Sequence, residues 1–399
     1  MLQHELAALV VLAYDRYDAA FYYATGQKIH HGIYLRTADG RARVLHDPME
    51  RDQAALVGCE ALSYAELGFL QKLKSADSAA GAYAELLSEQ LSAMGVTGRV
   101  AVSGDASIGW SFAMLDRLRT LSPGIEIDPR QPGVLALARS TKTPDEIDKI
   151  RRCSQGAVAA MARARAFLGD LRRDGERFRD AQGDVATLGA VRSLLHRTFA
   201  EHGLGEDGES IVAMGRDAGV PHNRGNDADE VRAGAPILID IFPGEAGGGY
   251  HTDMTRTFCL GPAPEPLARL YTQCREAFDA AMGWIALGKP CRDGQETVCD
   301  VFERQGHPTP RSQSGLSEGY VHGLGHGVGL AVHEGPSLAG PVSNTTVLSA
   351  GHVVSVEPGL YYPSQGMGVR IEDLVVAHAD GHIENLTPAP YELEIPIRT

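Results

Sequence analysis

Four carboxylates and one histidine stand out along the chain, each in a short apolar or glycine-rich segment that reads as a strand. Asp240 lies in Pro-Ile-Leu-Ile-Asp-Ile-Phe (236–242) and Asp253 in His-Thr-Asp-Met-Thr-Arg-Thr-Phe (251–258). His326 lies in His-Gly-Leu-Gly-His-Gly-Val-Gly (322–329), Glu357 in Val-Val-Ser-Val-Glu-Pro-Gly (353–359) and Glu372 in Gly-Val-Arg-Ile-Glu-Asp (368–373). An ionised carboxylate buried in such a segment carries a large desolvation cost unless a cation or a fixed partner compensates it. Four together call for concentrated positive charge, which two divalent ions supply. An oxygen-rich set with one imidazole and no thiolate suits catalytic Mn2+, Co2+, Fe2+ or Zn2+ better than a structural zinc site. Two such ions about 3.5–4 Å apart could bridge a water, lower its pKa and stabilise the oxyanion of an attacked carbonyl. The reaction class implied is hydrolysis.

Each residue alone has a plainer reading. A single Asp after an apolar strand is more often a turn or cap residue. The glycine-rich segment around His326 could cradle a phosphate, yet it lacks the Lys-Ser/Thr of a P-loop and the spacing of a dinucleotide fingerprint. His322, His326 and His333 could separately be ordinary histidines. The conjunction favours the metal site.

The elements around these residues can be oriented by period-two alternation. Asp253 shares a face with Thr255 and Thr257, while Met254 and Arg256 point the other way. Glu357 shares its face with Ser355 and Val353, and Arg370 with Glu372, which sets a guanidinium beside a ligand carboxylate. Upstream, the first part alternates β and α. Strands are expected at 9–14, 33–36, 42–46 and 99–102, with a turn at Asp39-Gly40 and a helix over 79–94. A Pro- and Gly-marked stretch, 122–133, reads as a domain edge. A second domain then opens on a helix capped by Thr143, with Pro144 and Glu146 completing a capping box. Ile147, Ile150, Val158, Met161 and Ala164 form its apolar stripe. Loop-prone sequence at 169–183 and helices over 185–202, 266–285 and 295–304 follow. The fold class is α+β, with the chemistry confined to the second domain.

A length of 399 residues suits two or three domains of about 150 residues each. Apolar content of 43% and charged content of 22% are those of a soluble globular protein. A net charge of −14 argues against nucleic acid or an anionic membrane as partner, since both reward Lys and Arg. No window approaches the roughly 18 apolar residues of a transmembrane helix. The apolar run near the start lacks the basic leader and cleavage site of a signal peptide and reads as a buried strand. Six cysteines without a CxxC pair suit reduced thiols, and the expected location is cytoplasmic.

The blocks Ile239-Asp240 with Asp253 to Phe258, Gly325 to Pro336, Val356 to Tyr361 and Gly368 to Asp373 are similar to those of the pita-bread metallopeptidases. Within that superfamily they most resemble the proline-directed branch, Xaa-Pro dipeptidase (prolidase) and Xaa-Pro aminopeptidase. The resemblance implies a creatinase-like α/β N-terminal domain over 1–135 and a pita-bread catalytic domain over 143–399. It implies dinuclear ligands at Asp240, Asp253, His326, Glu357 and Glu372, with Mn2+ foremost and Co2+, Zn2+ or Fe2+ as alternatives. It makes Glu357 the proton shuttle, His222 and His333 catalytic histidines, and His222, His322, His333 and Arg370 substrate-binding residues. The connection from Asp240 to Asp253 is two residues longer than the family's usual one, with Gly247-Gly-Gly249 inside it; a longer hairpin turn absorbs this without moving the ligands.

The substrate implied is a small peptide with proline second, and the assembly implied is a homodimer. The compact first domain leans towards the dipeptidase over the aminopeptidase that acts on longer peptides. Methionine aminopeptidases usually lack such a first domain, and creatinase lacks the metal ligands. A non-catalytic binding relative would have lost ligands or pocket histidines, and all are present here.

Overall fold

The computed structural model describes residues 4–398 apart from 207, 209 and 342. The chain divides into two compact units, Met1–Arg139 and Ser140–Thr399.

The first unit is built on a six-stranded mixed sheet. Its strands are β1 (Ala8–Tyr14), β2 (His31–Thr37), β3 (Ala42–His46), β4 (Glu60–Ser63), β5 (Gly98–Gly104) and β6 (Ile125–Ile127). Their order is β4-β3-β2-β1-β5-β6. The unbroken apolar run of β1 reflects its central place with both faces covered. Val10 and Leu12 face one core and Leu9, Val11 and Ala13 the other. Helices α1 (Ala79–Ala93) and α2 (Ile108–Leu121) cover the first of these faces. The stretch 122–133 contains β6, which pairs parallel with β5, and a further helix, Val134–Ser140, comes after it. Its Pro and Gly residues therefore flank an edge strand inside the first unit. Helix α2 escapes sequence reading because only Met114 and Leu118 are buried, too narrow a stripe to show its period.

The second unit opens at α3 (Pro144–Asp170) with the full capping box: the Thr143 hydroxyl accepts the Glu146 N–H, and the Glu146 carboxylate accepts the Thr143 N–H at 2.7 Å. The charged stretch after it forms a small exposed hairpin, Arg172–Asp174 with Arg177–Arg179, rather than a plain loop. Helices α3 and α4 (Leu188–Glu201) pack on the antiparallel strands β7 (Ile211–Met214), β8 (Pro236–Ile241) and β9 (Met254–Leu260) around one core. Helices α5 (Glu265–Trp284) and α6 (Arg292–Arg304) pack around a second core. The strands of that core are β10 (Val353–Val356), β11 (Gly359–Tyr362), β12 (Met367–Arg370) and β13 (Asp373–Ala377).

The two cores meet where β9 runs past the end of β12. Glu372 N–H donates to the Thr255 carbonyl at 3.1 Å, and the Thr257 hydroxyl donates to the Arg370 carbonyl at 3.0 Å. Behind this seam lies Arg256, 1% exposed, paired at 2.6 Å with the fully buried Asp373. Its guanidinium also donates to the carbonyls of Thr255 and Glu372 at 2.9 and 2.7 Å. Arg256 and Asp373 thus point away from the face that carries Asp253 and Glu372, as alternation requires.

Candidate metal centre and active site

Along the seam, the side chains singled out in the sequence line one cavity of about 660 Å3. Asp240, Asp253, His326, Glu357 and Glu372 all border it, as do His222, His322, His333 and Arg370. Of the five expected ligands, only Asp240 lies within a strand; Asp253 precedes β9, Glu357 follows β10 and Glu372 falls between β12 and β13. His326 is in irregular chain. Strand ends suit such groups, because backbone pairing lapses there and side chains from several segments can converge.

Glycines let the His326 segment lie this close. A Cβ on Gly325 would come within 2.0 Å of the Ser355 carbonyl oxygen, and one on Gly327 within 2.1 Å of that of Gly335. The segment is also threaded by hydrogen bonds: Ser355 N–H donates to the His326 carbonyl at 2.8 Å, and His326 N–H to the Ser355 hydroxyl at 3.1 Å. The long connection between Asp240 and Asp253 closes as a hairpin extension. The Glu245 N–H donates to the Tyr250 carbonyl at 2.9 Å there, and the Glu245 carboxylate accepts the Tyr250 N–H at 2.9 Å. The register sets Asp240 opposite Thr255, so both aspartates stay at the cavity.

Ligand-type atoms of Asp253, His326 and Glu372 all lie within 4.8 Å of one another. His326 Nε2 is 3.2 Å from Glu357 and 3.7 Å from Asp253, while its Nδ1 faces the Gly327 carbonyl at 3.2 Å. Donation from Nδ1 leaves Nε2 for the carboxylate side, the usual arrangement of a metal-ligating histidine. Burial works against a charged His326, but Glu357 outweighs it and raises its pKa. Burial likewise works against ionised Glu357, yet His326, His322 and Arg370 bring it down to about 2.

Asp253 and Glu372 go the other way. Burial and the neighbouring carboxylates hold both well above the ordinary range. Asp240 Oδ1 is buried and has no hydrogen-bond partner among the described residues. Crowded, desolvated acid groups and an unpartnered carboxylate oxygen are what a site for hard divalent cations requires. The residues present fit such ions.

Arg370, 3% exposed, organises the wall. It donates to Asp240 Oδ2, to the Tyr361 hydroxyl at 2.8 Å and to the Thr255 hydroxyl at 3.2 Å. Thr255 in turn donates to Glu372 Oε2 at 2.7 Å. His322 is spoken for on both ring nitrogens, by the Gly323 carbonyl at 2.7 Å and by the Tyr361 hydroxyl at 2.8 Å. His333 stacks obliquely on His326, ring centroids 4.2 Å apart, and burial lowers its pKa. His222 and Arg224 are exposed at the rim. Sequence reasoning missed Tyr361, which joins His322 to Arg370, and Arg224. Tyr361 sits inside a motif block, but only the β11–β12 pairing shows what its hydroxyl reaches.

Residues 148–379 match the family model described as Metallopeptidase family M24. The chain belongs to metallopeptidase family M24. Its second unit is the family's pita-bread domain, preceded by a mixed α/β unit. A probable dipeptidase PepE of Mycobacterium tuberculosis is 32% identical over 260 residues, 65% of this chain and 62% of that protein. An Xaa-Pro dipeptidase of Lactobacillus helveticus is 32% identical over 262 residues, 65% of this chain and 63% of that one. The match thus spans less than two thirds of either relative. Among solved structures, an X-Pro aminopeptidase from Thermotoga maritima MSB8 superimposes with a TM-score of 0.75 at 21% identity, covering 98% of both chains. At that identity the likeness is one of fold. In this M24 chain no helix among the described residues is long and apolar enough to cross a membrane.

Proposed function

We propose that this M24 chain hydrolyses the Xaa-Pro bond of dipeptides, using two divalent cations, Mn2+ foremost, held by Asp240, Asp253, His326, Glu357 and Glu372. The observation that carries the reading is the convergence of four acid groups and an imidazole on one cavity, with Asp240 Oδ1 buried and unpartnered among the described residues. Bound there, the ions would supply Lewis acidity towards the scissile carbonyl and a lowered pKa for the attacking water.

The chain's own groups supply the rest. Glu357 takes the proton released by the attacking water and delivers it to the proline nitrogen as the C–N bond breaks. That nitrogen belongs to a tertiary amide without an N–H, so the pocket needs no acceptor for one. His222 would neighbour the substrate amide, and His322 and His333 the scissile carbonyl and the proline. Arg370 fixes Asp240 and, through Thr255, Glu372, so that the carboxylates do not rearrange as charge develops. Three N–H groups of Arg370 are already engaged. Arg224, exposed at the rim of the same cavity, brings a second guanidinium towards the carboxylate of a dipeptide.

A specific observation favours the alternative, an aminopeptidase acting on longer peptides. A second cavity of about 400 Å3 adjoins the first through Gly208 and Arg224 and would house residues beyond the proline. The deciding assay supplies Mn2+ and compares an Xaa-Pro dipeptide with an Xaa-Pro-Xaa tripeptide, each with and without chelator. Chelator-sensitive cleavage of the dipeptide is expected. Cleavage of the tripeptide alone rejects the dipeptidase, and cleavage of neither rejects the Xaa-Pro reading.

A further inference from the structure

The first unit holds a cavity of its own, about 550 Å3, which peptide hydrolysis does not use. Its wall is aromatic. Tyr14 at the end of β1, Tyr64 and Phe69 after β4, and Tyr83 in α1 all line it. Ring centroids lie 5.7 Å apart for Tyr14 and Tyr83, 6.0 Å for Tyr64 and Tyr83, and 4.7 Å for Phe69 and Tyr83, all edge to face. Trp110 of α2 backs the cluster, 4.7 Å from Tyr14 and 5.4 Å from Tyr83. A cation over the face of such a ring, within about 6 Å of its centre, is attracted by the ring's quadrupole.

Two carboxylates add to that potential. Asp47 is half-buried and held in place, because it accepts the Met49 N–H at 2.9 Å as the cap of the turn Pro48–Glu50. Asp15, at the mouth, takes a left-handed backbone (φ 65°), which Asp tolerates better than most residues. It lies 3.6 Å from His31 Nε2. Burial above all, then the neighbouring phenols and last the charge of Asp47, push up the Tyr64 and Tyr83 phenols, so both stay neutral at physiological pH. No Lys or Arg is among the described residues that line the cavity. On its open side stand Leu70 and Leu73, 63% and 39% exposed.

We propose that this cavity is a binding site for a small organic cation, an alkylammonium or guanidinium group. The charged head sits among Tyr14, Tyr64, Phe69 and Tyr83, turned towards Asp47, and the alkyl arm lies on Leu70 and Leu73. A bare metal ion would find too few oxygen ligands among these rings. A neutral apolar ligand would desolvate the Asp47 carboxylate without compensation.

The chain's two tryptophans, Trp110 and Trp284, allow a direct test. In the full-length W284F protein, fluorescence reports on Trp110 alone. Choline is titrated against its neutral isostere, 3,3-dimethyl-1-butanol. A saturable response to choline, at least tenfold tighter than to the alcohol, is expected. D47N keeps the cap, since Asn caps as well as Asp, and should weaken choline about fivefold or more while leaving the alcohol unchanged. Equal affinity for the two probes, or no saturable response to choline, overturns the proposal. Peptide hydrolysis is not read, so its outcome is independent of the proposed activity.

Discussion

Arg370 and Asp240 divide the Asp240 carboxylate between two tasks: Oδ2 accepts from the guanidinium, and Oδ1 is left buried without a hydrogen-bond partner among the described residues. The same guanidinium reaches Thr255 and Tyr361, and through Thr255 it is one bond removed from Glu372. One side chain therefore orients groups from both cores. R370K keeps the charge but cannot reproduce the three directions of the fork. Outer-sphere partners of this kind are worth about 10–100-fold in metal affinity or activity. Titration of the metal-free protein with Mn2+ by calorimetry should show a loss of that order for R370K. Unchanged affinity would reduce Arg370 to packing.

Glu357 is expected to be the proton carrier. Its carboxylate lies 3.2 Å from His326 Nε2 and 3.3 Å from the Ser355 hydroxyl. E357Q retains size and an oxygen donor but cannot accept the proton, so kcat should fall by about 10²–10⁴. Metal content measured alongside separates a lost proton carrier from a lost ligand. Near-normal turnover with both ions bound would remove Glu357 from the mechanism.

The positions of Asp240, Asp253, Glu357 and Glu372 in one cavity were legible because four carboxylates in or beside apolar segments, taken together with His326, point to a shared charged site; that three of them sit at strand ends was not legible. Period-two alternation also set Asp253 and Thr255 on one face, with Arg256 turned away. What it could not tell is where Arg256 goes. Its partner Asp373 is more than a hundred positions distant, and the Thr387 and Ala389 carbonyls it also meets come from chain without a periodic signal. The hairpin after α3 was unreadable for another reason: of its six strand residues only Phe178 is buried, so hydrophobic patterning had nothing to report.

That buried pair is itself testable. Asp373 also accepts from Asn385 at 2.5 Å and from the Tyr391 hydroxyl, while the Arg256 guanidinium lies 4.6 Å from the Tyr391 ring centre. Removing one partner strands the other charge in the core, at a cost of about 3–5 kcal/mol. R256M and D373N should each lower the urea midpoint accordingly, and the double variant should recover part of the loss. Additive losses would show that the two charges do not stabilise each other.

His352 should govern part of the acid stability. Burial, helped by Lys142, lowers its pKa to about 4. Its Nδ1 accepts the Ser349 N–H at 3.1 Å, a bond the protonated ring cannot make. Above about pH 6.5 the ring is neutral in both folded and unfolded chains. Between about 6.5 and 4 the unfolded chain takes up a proton that the folded one refuses, so stability falls as pH falls through that window. The contribution is about 2–3 kcal/mol when complete. H352Q should flatten this limb of the stability–pH curve relative to the parent; parallel curves would rule His352 out.

Arg224 should decide how the enzyme tells a dipeptide from a longer chain. Its backbone is pinned, since the Arg224 carbonyl accepts from Arg192 at 2.7 Å and from Val212 N–H at 3.4 Å. Arg192 also bonds the Ser210 carbonyl, so one buried guanidinium steadies two segments of the cavity wall. The Arg224 side chain itself is exposed, and ion pairs in water are worth at most about 1 kcal/mol. R224Q should therefore raise KM for an Xaa-Pro dipeptide about two- to fivefold and leave kcat unchanged. The same substrate as its C-terminal amide has no carboxylate to lose, and R224Q should cleave it as the parent does. If the variant handles acid and amide with the same defect, Arg224 acts on the shape of the pocket and not on the charge of the substrate.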